Sequence, residues 1–371
     1  MKLEDLIIRK IKDYGPLSFR DYMEIALYEP GLGYYNSQQH KIGKRGDFYT
    51  SPYISSAFGA MVARQIEELW QDMPGNFTVV EYGAGAGLLC HDILQYLKNN
   101  EPLFKYLRYV IIEKSPVLKK LSRQYLDEKV IWIDDIKELG EFEGCVISNE
   151  LFDNFPVHKV FMEDGHMMDV WVDHHNGFRE IPGEASAMIT EYALSARMGI
   201  SEGNQTEICL DLKDWFRTVS KYLKRGYIVS IDYGYLDGAS GKINNKEGSL
   251  RCYKNHRVTN NPYEYPGEQD ITADVNFSAL IYWGLKNGFE FSGFVNQRSF
   301  LRALGFVAFL SEMNDTDENK RYAYTTLLDQ MGGSFKVLIQ RKGIPYHPLQ
   351  GLALEHPTEK KICRQMATYL S

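Results

Sequence analysis

The chain has 371 residues, enough to bury a large core and to divide into more than one lobe. Hydrophobic residues make up 44% and charged residues 25%, an ordinary globular balance, and a formal net charge of −7 argues against broad binding to nucleic acid or anionic lipid. Five scattered cysteines (Cys90, Cys145, Cys209, Cys252, Cys363) without a C-x-x-C pair, and nine histidines without ligand spacing, point away from a disulfide framework or a metal site and fit a reducing compartment.

In chain order, Leu3, Leu6, Ile7 and Ile11 share one face of an amphipathic helix. Glu4 and Asp5 within it, and no apolar h-region, argue against a targeting segment. No stretch is long and apolar enough for a bilayer. A cytoplasmic location with no membrane span is therefore expected. Residues 1–60 read as helical and turn-rich, with Ser18 as N-cap of a helix over Phe19–Leu27. Ser55–Gln71 is an amphipathic helix through Phe58, Met61, Val62, Ile66, Leu69 and Trp70. From Phe77 on, short apolar runs alternate with helical patterns: strands at Thr78–Tyr82, Tyr109–Glu113, Val130–Ile133 and Cys145–Asn149, helices near Leu88–Lys98 and Pro116–Tyr125. That rhythm predicts βαβ units and a parallel sheet. After Pro156 it breaks into a β-rich insertion, residues 157 to about 183, with Asp164-Gly165 and Asn176-Gly177 as hairpin turns. A helix at Leu212–Leu223 and a strand at Tyr227–Tyr233 resume the pattern. Residues 235–270 read as a long irregular stretch, too long for an idle connector. A helix at Phe277–Lys286, capped by Asp274 or Asn276, and strands at Phe289–Asn296 and Phe335–Gln340 follow.

Ligands of such sheets sit at the carboxyl ends of the strands, so the residues there are the site candidates. The first strand runs through Glu81 into Gly83-Ala84-Gly85-Ala86-Gly87, where missing side chains let the backbone turn sharply against a ligand before a helix begins. The spacing is G-x-G-x-G, and Leu88 stands where the third glycine of a G-x-G-x-x-G dinucleotide fingerprint would be, which weakens a nicotinamide oxidoreductase reading. After the second strand comes Glu113, placed either to accept two ribose hydroxyls or to face water; the upstream glycines favour the former. After the third come Asp134 and Asp135, which fit an adenine amino acceptor and helix capping equally. After the fourth come Asn149, Glu150 and Asp153, and after the fifth Asp232. Three acids on one rim suit a cationic acceptor such as a guanidinium, which pairs bidentately with carboxylates; three separate solvated strand ends fit the spacing as well. No G-x-S-x-G or P-loop pattern occurs.

Five ordered motifs, Gly46-Asp47-Phe48-Tyr49-Thr50-Ser51-Pro52, Glu81 to Gly87, Ser148-Asn149-Glu150-Leu151-Phe152-Asp153-Asn154-Phe155-Pro156, Asp232-Tyr233-Gly234 and Asp270 to Phe277, with Met331 to Leu338 behind them, resemble the MidA-like family. Its mitochondrial members are protein arginine methyltransferases that act as assembly factors for respiratory complex I. The resemblance runs nearly end to end. It implies a class I S-adenosylmethionine (SAM) methyltransferase fold: an α/β, Rossmann-like, seven-stranded mostly parallel sheet with an antiparallel last strand, a helical N-terminal extension and an inserted cap. The organisation expected is 1–60 as an extension contributing to the cofactor site, 61–343 as the core with insertions at about 157–205 and 235–275, and 344–371 as a tail. By position the resemblance assigns SAM binding to Gly83, Gly85, Gly87, Glu113 and Asp135, with Thr50 and Pro52 close by. It sets Asn149, Glu150, Asp153 and Asp232 beside the transferred methyl group. Glu81 and Asp134 join the cofactor candidates by their place at strand ends. The expected activity is methylation of arginine in a protein partner, with no metal and no nucleic acid, and with a homodimer left open. The alternatives are a methyltransferase acting on a small molecule or another side chain, and a non-catalytic assembly factor that keeps the fold.

Overall fold

The structure is a computed structural model that describes residues 2–37, 46–47, 49–124, 126, 129–196, 198–237 and 247–370, with side chains to 365. It divides into two compact units: Met1–Phe48, Asp153–Asp214 and Asp237–Asn276 form one, and Tyr49–Phe152, Trp215–Leu236 and Phe277–Ser371 the other.

Among the described residues of the second unit, β1 (Phe77–Tyr82), β2 (Leu107–Ile112), β3 (Val130–Ile133), β4 (Phe142–Asn149), β5 (Leu223–Tyr235), β6 (Glu290–Asn296) and β7 (Phe335–Lys342) make one sheet, in the order β6-β7-β5-β4-β1-β2-β3. The five strands β1 to β5 pair in parallel, and β7 runs antiparallel between β5 and β6. This is the expected seven-stranded arrangement. Order reverses between β1 and β4, so the crevice for a ligand opens at their carboxyl ends. The central strands are apolar on both faces, as burial on both sides requires. One face packs Val79, Ile111, Ile147, Val229 and Val337 against α1 (Ser56–Gln71) and α2 (Leu88–Leu97) through Phe58, Met61, Ile66, Ile93 and Leu94. The helix Ser56–Gln71 starts where Ser55 Oγ accepts the Ala57 N–H. Three elements that the periodicity did not single out follow β6: helices Gln297–Ala303, Phe306–Glu312 and Asp317–Tyr324, the last running into a π-helical turn at Thr325–Gln330.

The first unit opens with helix Leu3–Tyr14, whose buried residues are the predicted Leu3, Leu6, Ile7 and Ile11, and with Phe19–Tyr28, capped by Ser18 Oγ on the Asp21 N–H. The β-rich insertion is an antiparallel group: His158–Glu163 pairs with His166–His174, which pairs with Phe178–Glu184. Its two turns hold Asp164 and Asn176 at φ of 50° and 57°, the left-handed region that Asp-Gly and Asn-Gly hairpins use. The stretch 235–270, expected to be irregular, contains a small antiparallel sheet instead: Arg251–Lys254 pairs with Arg257–Thr259 and with Asp270–Thr272. Within that stretch 238–246 lie outside the described residues, as does Tyr125 of the expected Pro116–Tyr125 helix, which is observed over Pro116–Ser122.

Candidate functional site

The chain leaves β1 through three glycines in left-handed conformations: Gly83 at φ 68°, Gly85 at φ 55° and Gly87 at φ 79°. A side chain would be strained at each of them. At two it would also collide: a Cβ on Gly83 would lie 2.8 Å from Leu151 Cδ1, and one on Gly87 2.8 Å from Leu126 Cδ1. Gly87 caps α2 without a side chain, so the first-turn amides of the helix face the loop rather than a capping oxygen. The loop is pinned to β2 by Gly83 N–H on the Ile112 carbonyl (2.9 Å) and, beyond that strand, by Gly85 N–H on Glu113 Oε2 (3.0 Å).

Glu113 accepts the Ser115 N–H on its other oxygen at 2.8 Å. Burial pushes its carboxyl above the usual range, while those two backbone donors pull it back. Glu81 differs. It is buried beneath the loop and accepts from Tyr109 Oη at 2.7 Å, so it supports β1 from the core side. Burial pushes its carboxyl up to about 7, against the lowering effect of the tyrosine bond. Asp134 and Asp135 are solvent-facing. Asp134 pairs with Lys119, and Asp135 caps the short helix Ile136–Glu138 through the Lys137 N–H at 2.9 Å. Asp135 thus has a capping geometry, and Asp134 has an ion pair instead.

At the end of β4, Glu150 takes φ 51°, unusual for a residue with a side chain. Its N–H donates to the Ile231 carbonyl (2.9 Å), and its Oε1 accepts from Ser51 N–H (3.0 Å) and Asn149 Nδ2 (3.1 Å). Ser51 begins the short helix Ser51–Ile54, with Thr50 before it and Pro52 buried in its first turn. Asp232 is 0% exposed; its Oδ2 accepts the Leu151 and Phe152 N–H groups at 3.1 and 3.0 Å and its Oδ1 the Tyr233 N–H at 2.9 Å. Its carboxylate thereby ties the Glu150 turn to β5. The structure thus gathers the glycine loop, Glu113, Asn149, Glu150 and Asp232 at the carboxyl ends of β1, β2, β4 and β5.

Asp153 belongs to the other unit. There its carbonyl accepts the Ala273 N–H (2.9 Å), and Asp270 lies in the same buried group. Asp270 accepts from Tyr35 Oη (2.9 Å) and Asn154 Nδ2 (3.2 Å). Burial first, and the Asp153 charge second, push the Asp270 carboxyl up to about 8. Of the Gly46–Pro52 motif, Asp47 accepts from Tyr34 Oη (2.8 Å) and the Asn255 N–H (2.6 Å) within that same unit, while Phe48 lies outside the described residues. Two residues that sequence reading passed over, Ser51 as the amide donor to Glu150 and Gln297 behind it, are buried polar groups at helix starts. Ser51 stands inside the Gly46–Pro52 motif, which is the signal that points to it.

Among the described residues no group of three or more His, Cys, Asp or Glu side chains is arranged to hold a metal, and no helix is long and apolar enough to cross a membrane. Residues 61–295 match the profile of a family of S-adenosyl-L-methionine-dependent methyltransferases. The chain is similar to a solved COG1565 superfamily structure from Burkholderia thailandensis bound to S-adenosyl-homocysteine. The two are 30% identical, with a TM-score of 0.86 over 96% of this chain and 95% of that one. It is 28% identical to the mitochondrial protein arginine methyltransferase NDUFAF7 homolog of Drosophila melanogaster, over 90% of this chain and 84% of that protein. The mitochondrial protein arginine methyltransferase NDUFAF7 of Mus musculus is 27% identical over 92% of this chain and 82% of its own length. The residues present fit the nucleoside: three left-handed glycines turn the chain sharply at the end of β1, Glu113 holds that turn through Gly85, and the buried Asn149 Oδ1 has no hydrogen-bond partner among the described residues.

Proposed function

This chain belongs to the S-adenosyl-L-methionine-dependent methyltransferases, and we propose that its methyl acceptor is an arginine side chain of a protein partner. The observation that carries the proposal is the held Glu150 carboxylate: a charged group on a left-handed turn, fixed by Ser51 and Asn149, in the turn whose Leu151 touches the glycine loop. The names of the Drosophila and mouse relatives support the same acceptor.

In this reading the loop from Gly83 to Gly87 and the start of α2 hold the methionine part of the cofactor, and Glu113 accepts the ribose hydroxyls. When bound, SAM supplies a methyl group on a sulfonium that leaves as a neutral thioether. The chain's own work is placement and charge. A guanidinium with a pKa above about 12 is a poor nucleophile, because its lone pairs are delocalised into the cation. Glu150 binds the fork, draws the positive charge toward itself and away from the attacking nitrogen, and takes the proton released there. Asn149 holds the Glu150 side chain, and Asp232 holds the turn by the Leu151 and Phe152 amides. Asp232 is thus proposed as a positioning residue. Within the same proposal the protein works in the cytoplasm, a reducing compartment that suits its free cysteines.

Glu150→Gln keeps shape and removes charge. It is expected to bind S-adenosyl-homocysteine with unchanged affinity by calorimetry and to lose methyl transfer by roughly 10²-fold or more. Mass spectrometry of proteomes with and without the protein identifies the acceptor: methylarginine sites that vanish support the proposal, and a full-rate Glu150→Gln variant overturns it.

A further inference from the structure

Gln297 opens the helix after β6, and its side chain is 0% exposed. Its Nε2 donates to the Leu327 carbonyl at 3.2 Å, within the π-helical turn Thr325–Gln330, and its Oε1 accepts the Ser51 hydroxyl at 3.3 Å. Ser51 is equally buried, and its N–H is the donor on Glu150 Oε1. One line thus runs from a backbone carbonyl through the Gln297 amide to the Ser51 hydroxyl, and from the Ser51 backbone N–H to the carboxylate. Burying a primary amide is costly unless both its ends are bonded, and here both are. The turn that anchors the line is itself uncommon: π-helical segments are rare and concentrate at functional sites. In it the Leu327 and Leu328 carbonyls accept side-chain donors, Gln297 and Arg298 Nε (2.6 Å), and Met331 N–H closes on the Thr326 carbonyl (2.9 Å).

We propose that Gln297 is a positioning residue for Glu150, acting through Ser51, with the π-helical turn as the fixed point from which the carboxylate is aimed. The bond from Gln297 sets the Ser51 rotamer and the first turn of its helix, and so the direction of the N–H that holds Oε1. Loosening that N–H weakens its hold on Glu150 Oε1. The proposal rests on the reading of Glu150 as the acceptor-facing carboxylate and deepens it.

The first test needs no acceptor. Amide hydrogen exchange of the full chain with saturating S-adenosyl-homocysteine is followed by mass spectrometry in peptides spanning residues 49–55. Gln297→Leu and Ser51→Ala are each expected to speed exchange at Ser51 roughly tenfold, the worth of one hydrogen bond to a charged group. Adding either change to Glu150→Gln is expected to speed it no further than Glu150→Gln alone. Ser51→Ala removes a single hydroxyl and keeps the test intact where Gln297→Leu does not fold. Faster exchange confined to 297–303 and 325–330, with Ser51 unchanged in both variants, overturns the proposal. Where methyl transfer is measured, Ser51→Ala should lower kcat and leave KM for SAM unchanged, with no further loss on a Glu150→Gln background; additive losses overturn it. A loosened Ser51 in a protein that methylates no arginine supports the positioning role and refutes only the acceptor, so the two failures are distinguishable.

Discussion

Glu150, just past the end of β4, and Asp232, near the end of β5, are both strand-end acids, and the sequence offers no means of ranking them. Their partners do. Asp232 spends both oxygens on backbone amides of Leu151, Phe152 and Tyr233 and is wholly buried; Glu150 is half-buried and is held by a serine amide and a neighbouring amide side chain. Asp232→Asn exchanges one acceptor oxygen for a donor facing an N–H group, at a cost of about 2 kcal/mol. It is expected to lower thermal stability and methyl transfer together, whereas Glu150→Gln lowers transfer at nearly unchanged stability. Equal melting temperatures for the two variants would refute that division of labour. Glu81 yields a pH prediction. Its folded carboxyl is pushed from 4.5 to about 7, so between those values the folded chain keeps a proton that the unfolded chain releases, and stability falls as pH rises through that window. Glu81→Gln removes the titration. Denaturant unfolding at about pH 4 and about pH 8 should show the variant gaining roughly 3 kcal/mol on the parent between the two. A constant difference would mean that Glu81 titrates alike in both states.

The glycine loop shows why a local pattern can be legible in both sequence and structure. Left-handed φ values at 83, 85 and 87 are a backbone demand that glycine meets, and the demand is written in the letters themselves. Gly83→Ala combines that strain with a methyl 2.8 Å from Leu151 Cδ1, in the residue after Glu150. It should cost about 1–3 kcal/mol of stability. Because the displaced side chain neighbours the held carboxylate, it should also weaken S-adenosyl-homocysteine binding and methyl transfer together; calorimetry with normal affinity would show that Leu151 yields. Elements with full patterns were equally readable: Val130–Ile133 and Phe277–Lys286 begin and end where the apolar run does. The strands Arg251–Lys254, Arg257–Thr259 and Asp270–Thr272 were not, since three or four residues are too few to carry an alternation. The tie from Asp232 to Leu151 and Phe152, and the line from Leu327 to Glu150, join residues far apart in the chain. No local window contains both ends.

At the scale of the whole molecule, the order β6-β7-β5-β4-β1-β2-β3 puts the reversal of the sheet beside β1, the strand that runs into the glycine loop, so topology and loop chemistry select the same crevice. Ligand linkage is the measurement that reads this coincidence directly. A ligand that binds only the folded chain stabilises it in proportion to the logarithm of its concentration, by about 2.7 kcal/mol at a hundredfold excess over Kd. S-adenosyl-homocysteine should therefore raise the unfolding free energy of the parent with that dependence. Glu113 both holds Gly85 N–H and is assigned the ribose, so Glu113→Gln should reduce the gain by about 1.4 kcal/mol for each tenfold loss of affinity. Glu150→Gln, whose change lies on the acceptor side, should show the full gain. That contrast separates a working transferase from a fold kept for scaffolding: a scaffold has no reason to hold the nucleoside, and the parent chain would then unfold at the same point with or without it.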